Sequence, residues 1–66
     1  MPLLISYVDN LSEFRKALEK VEELIENNVQ VANVGIEGRK YKLVLYVPDG
    51  ALKLVRSEFP GGVILG

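Results

Sequence analysis

Residues 10–28, NLSEFRKALEKVEELIENN, decide how this chain is read. Leu11, Phe14, Leu18, Val21 and Ile25 recur at steps of three and four, which places them on one side of a helix. Ala17 and Leu24 widen that stripe, with Leu18 at its expected centre, and Glu13, Lys16, Lys20, Glu23 and Glu26 lie away from it. Asn10 is a good cap and stands three residues before Glu13, the spacing of a capping box. Asp9 and Ser12 compete with it for the role. Asn27-Asn28 closes the helix, because asparagine tolerates the left-handed backbone that glycine normally supplies there. A stripe this broad must be buried against something, and most of the remaining chain reads as sheet.

The flanks follow. Leu3 to Val8 reads as a strand, with Leu3, Ile5 and Tyr7 on one side and Leu4, Ser6 and Val8 on the other. Both sides are largely apolar, the mark of a central strand. Val29 to Ile36 is a second strand whose phase breaks. Val29 and Val31 share one face, Val34 and Ile36 the other, which predicts a bulge or bend near Ala32-Asn33. Glu37-Gly38 makes a tight turn, and Arg39 to Val47 is the third strand. Its Tyr41, Leu43, Leu45 and Val47 face one way; Lys40, Lys42, Val44 and Tyr46 face the other. After Pro48-Asp49-Gly50, Asp49 is placed to cap a short helix running to about Glu58, with Leu52, Val55 and Phe59 inward and Pro60 as the stop. Gly61-Gly62 reads as a flexible joint before a last short strand, Val63 to Leu65.

That order is the ferredoxin-like βαββαβ sandwich, an α+β fold with the first and third strands central and both helices on one face. It predicts a helix-free face carrying Leu4, Val8, Val44 and Tyr46. An uncovered apolar face on a chain of 66 residues points to sheet-against-sheet packing between copies, a homodimer or higher oligomer. Size supports this, since such a chain buries only roughly 60% of its unfolded surface and small domains lean on outside support. With no cysteine and no histidine, disulfides are excluded and a structural zinc site lacks its usual thiolate and imidazole ligands, since carboxylates alone suit harder ions; no metal or cofactor is expected.

The longest unbroken apolar run, Leu43 to Val47, is far below a membrane span, and no secretion signal is visible, so a cytoplasmic, single-domain protein is expected. Scarce Met and Gln beside abundant Glu and Lys suit a heat-adapted source, against which stand four Asn. Net charge is −1, which argues against a protein built mainly to hold nucleic acid. The distribution is uneven, −4 over residues 1–38 and +3 over residues 39–66. Within the helix, Arg15, Lys16 and Lys20 sit toward the positive end of the dipole and Glu22, Glu23 and Glu26 toward the negative end. The plainer reading of this split is two solvated faces of opposite sign; the other is that a base of the second half, in this copy or another, answers those acids.

Without His or Cys, nucleophile–base catalysis lacks its usual parts. Three resemblances frame the functional expectations. The element order and the passage NNVQVANV at 27–34 resemble ACT-type domains, which bind amino acids at subunit interfaces near the first loop and helix start. The matching positions are Asp9, Asn10 and Leu11, with Asn33 as a further polar contact. The start, Met-Pro then strand then amphipathic helix with SEFRKAL at 12–18, resembles the 4-oxalocrotonate tautomerase family. That resemblance implies methionine removal, Pro2 as a catalytic amine base and Arg15 in the substrate-binding position; the plainer reading of Pro2 is a proline opening a strand. RNA-recognition modules share the topology and stack bases on third-strand aromatics. Here RKYKLVLYV at 39–47 supplies Lys40, Tyr41, Lys42 and Tyr46, with the two tyrosines on opposite faces. A self-associating binding module, ACT-like in its small-molecule capacity, is the expectation.

Overall fold

The computed structural model describes residues 2–66. It is an α+β domain with a four-stranded antiparallel sheet and two helices, compatible with the ferredoxin-like class. Strand β1 is Leu3–Val8, helix α1 Leu11–Leu24, β2 Gln30–Glu37, β3 Lys40–Tyr46, α2 Leu52–Glu58 and β4 Val63–Leu65. The strand order is β2-β3-β1-β4, so the first and third strands are central.

Local chemistry sets the element ends. Asn10 is extended, at φ −148°, and its Oδ1 accepts from the Glu13 amide at 2.9 Å, which ties down one orphan donor of the first turn. At the other end α1 tightens into a 3-10 turn, Ile25–Asn27, and Asn28 closes it at φ 64°. Gly38, also at φ 64°, takes the first central position of the β2–β3 turn, the residue demanded by a type II′ hairpin. The expected bulge is present, with the β2–β3 register shifting between Val31 and Asn33. It brings Val31, Val34 and Ile36 opposite Leu45, Leu43 and Tyr41, all on one face. Asp49 does not cap α2; it lies inside a 3-10 turn, Asp49–Ala51, that has no side-chain cap and is held by the Ala51 amide donating to the Pro48 carbonyl.

Both helices cover one face. Leu4, Leu43 and Leu45 form the floor, α1 contributes Ala17, Val21 and Leu24, and α2 contributes Val55, with Val29, Val47, Ala51 and Phe59 closing the margins. The centre of α1's buried face is therefore the Ala17–Val21–Leu24 line, not Leu18. The larger side chains Phe14 and Leu18 lie on the flank of that line and are only half-buried.

The face of β1 is corrected as well. Leu4 pairs with Leu45 and Ser6 with Leu43, so Leu4 belongs beneath the helices, where it is 0% exposed. Val8 pairs with Tyr41 on that same face. Neither belongs to the helix-free face. Val44 and Tyr46 do, joined there by Leu3, Ile5 and Tyr7.

Gly62 is not a loose joint. A methyl group there would meet Leu4 Cδ1 at 2.8 Å and the Phe59 carbonyl oxygen at 3.2 Å, and its amide donates to that carbonyl. Glycine is what lets the chain pass this close to the core before entering β4.

Candidate functional site

The helix-free face divides into two halves. At the end where β1 starts, one cross-strand row reads Leu65, Leu3, Tyr46, Gln30 and the next Val63, Ile5, Val44, Asn33. Six of these eight side chains are apolar. Val44, in the middle, is only 7% exposed although it takes no part in the helix-packed core. Val63, Leu65 and Tyr46 remain exposed around it.

The other half of that face is polar. Tyr7 Oη donates to Glu37 Oε2 at 2.6 Å, and Lys42 Nζ approaches the same carboxylate oxygen at 4.0 Å. The hydrogen bond to Glu37, with desolvation and the carboxylate's negative charge, holds the Tyr7 hydroxyl above its ordinary pKa. Lys40 pairs with Asp9 at 3.6 Å. Both lysines of the third strand thus face carboxylates of their own chain. Tyr41 is turned away from them, its ring stacked on Phe14 at 5.3 Å on the helix side.

Asp9, Asn10 and Leu11 sit in the β1–α1 loop, but their side chains already have structural roles or point elsewhere. Asp9 pairs with Lys40, Asn10 caps α1, and Leu11 is exposed against Ser12, Arg15 and Glu19. Asn33 lies beside Val44, lower on β2 than the level of that loop, so it is not brought to the same place. Pro2 is buried, its carbonyl accepting from the Val47 amide at 2.9 Å. That is the end of the sheet opposite to the helix start, where Arg15 stands exposed on α1. Pro2 and Arg15 are not brought together. Among the described residues no group of three or more Asp, Glu, His or Cys side chains is placed to hold a metal ion.

This chain matches no family model, no curated protein and no solved structure. Function therefore rests on the surfaces themselves.

Two concavities complete them, both missed by sequence reasoning. β4 pairs only with Leu3–Ile5, so the remainder of β1, Ser6 to Val8, has a free edge. A cleft of about 260 Å³ runs beside it, with Glu13 and Lys16 of α1 on one wall and Phe59 to Gly61 on the other. The second concavity, about 220 Å³, lies between α1 and the outer strand and is lined by Phe14, Val34, Gly35, Ile36 and Tyr41. It is almost wholly apolar. The signal for it was the bulge, which turns Val34 and Ile36 to the helix side without giving them cover; Ile36 is 72% exposed. No helix of the described chain is long and apolar enough to cross a membrane.

Proposed function

We propose that this chain is a ferredoxin-like βαββαβ interaction module that works as an assembly of copies through the apolar half of its helix-free sheet face. The observation behind this reading is the cluster of Leu3, Ile5, Val44, Tyr46, Val63 and Leu65, uncovered by any helix of its own chain. Contiguous apolar surface of this kind marks a contact site on a small protein. A second sheet face is its simplest complement, packing at about 10 Å. Sedimentation equilibrium across the micromolar range tests it. Val63→Lys puts a charge into the cluster at an exposed position and should weaken association about tenfold or more; an unchanged average mass would remove the reading.

A second reading is a small zwitterionic ligand in the cleft beside Ser6–Val8. Its support is the pairing of a free strand edge with Glu13 and Lys16, which are 3.8 Å apart, in a volume suited to a molecule no larger than an amino acid. Thermal-shift measurements with single amino acids decide it: a melting point that stays put at millimolar ligand dismisses the idea.

A further inference from the structure

We infer that the free edge of β1 takes the C-terminal end of an extended partner peptide, which lies in line with β4 and pairs with the backbone of Tyr7. The phase of the sheet is the first observation. The Val47 amide donates to the Pro2 carbonyl, and these two residues continue the β1–β3 register one step beyond Leu3 and Tyr46. Alternation then turns the backbone groups of Leu4, Ser6 and Val8 toward β3, and those of Leu3, Ile5 and Tyr7 the other way. Leu3 and Ile5 meet Leu65 and Val63 of β4 there. Tyr7 meets nothing. Among the described residues its backbone N–H and C=O have no hydrogen-bond partner.

The space beside Tyr7 is short, and its ends say what fits. At one end the chain itself comes in, through a turn in which the Gly62 amide donates to the Phe59 carbonyl at 2.9 Å, and β4 follows. A peptide running in the direction of β4 must stop there, with its last residue opposite Tyr7. That residue's N–H donates to the Tyr7 carbonyl and its carboxylate accepts from the Tyr7 amide, the exchange of an antiparallel pair. The residue before it stands opposite Val8, which shares the helix side with Leu4. Alternation therefore sends that one side chain into the cleft of about 260 Å³, beside Ala17 and Phe59.

Charge fixes the direction. Glu13 borders the cleft near the end of β1, and Lys20 borders it about two turns further along α1, where the chain enters β4. Lys20 Nζ bonds the Glu58 backbone carbonyl at 2.9 Å and lies 5.6 Å from the centre of the Phe59 ring. Among the described residues it forms no ion pair. A terminal carboxylate at the Gly62 end lies on the side of that cation. A peptide running the other way would bring its ammonium terminus there instead, a like charge.

The test is a titration of the isotope-labelled full chain, followed in amide NMR spectra, with acetyl-Ala-Leu-Ala ending in a free carboxylate. The Tyr7 amide signal should move downfield, and its exchange with solvent should slow. The same peptide with a C-terminal amide should bind about tenfold more weakly, because it loses the charge-assisted bond. Methylating the amide nitrogen of its last residue should cost about fivefold or more, because the Tyr7 carbonyl loses its donor. Lys20→Met, which keeps an apolar stem over Phe59, should erase the advantage of the acid over the amide. A Tyr7 signal that stays put at millimolar peptide would overturn the inference, as would equal binding by the methylated or amidated peptide, or an acid advantage that survives Lys20→Met. Free leucine that moves Tyr7 as far as the tripeptide does would overturn it too, since the ligand would then be the small zwitterion alone.

Discussion

Leu45 and Val44 are neighbours in the chain and both are buried, at 0% and 7% exposure, but for different reasons. Leu45 lies under two helices, in one cluster with Leu4, Val21, Leu24 and Val55. Val44 points the opposite way and is shielded by side chains standing beside it on adjacent strands, with nothing above it. Burial from the side removes water from one residue without closing a face. Two residues with nearly equal exposure therefore belong to a finished surface and an unfinished one.

The sharpest way to break this comparison is to truncate both faces at matched positions. Leu4→Ala beneath the helices should cost about 2–5 kcal/mol, read as a lower midpoint in urea. Tyr46→Ala on the open face should cost well under that in a dilute, dissociated sample, since its ring is already half in water. Equal losses would mean the open face is covered within a single chain. Next in size is Gly62→Ala. The new methyl group would press on Leu4, which has no room to swing aside, and should cost about 1–3 kcal/mol. A neutral or stabilising result would show that β4 can shift outward, weakening the distinction between a rigid covered face and an open one.

The smallest effect concerns the polar half of the open face. The folded pKa of Tyr7 is raised, so any stability it contributes is complete below the unfolded value near 10 and fades as pH climbs through the raised value. Absorbance titration should show a tyrosine step above the ordinary value that Tyr7→Phe removes. Glu37→Gln should return that step toward its ordinary position, and a late step that survives Tyr7→Phe would assign it elsewhere.

How much of this was legible in the sequence depends on whether a pattern carried its own phase. α1 and β3 did, because apolar and polar residues alternate with a clear period. The bulge in β2 did too, because the conflict between Val31 and Val34 can be resolved only by an extra residue. β1 did not. Leu3, Leu4 and Ile5 are apolar in succession, and only pairing with β3 decides which of them goes under the helices. The centre of α1 did not either, because the stripe of large side chains points to Leu18, whereas the most buried line runs through Ala17, Val21 and Leu24. The contact surfaces were harder still. Lys40 with Asp9, and Tyr7 with Glu37, are distant in the chain, so their pairing appears only when strands are placed side by side.

The position of β1 carries a consequence for how the chain is made. Leu3 is bonded to Tyr46 on one side and to Leu65 on the other, so β1 is made well before either of the strands it pairs with. Closing such long loops delays the reward of pairing until β3 and β4 have been made. Until then Leu4, fully buried in the finished core, waits in solvent on a nascent segment with no sheet to join.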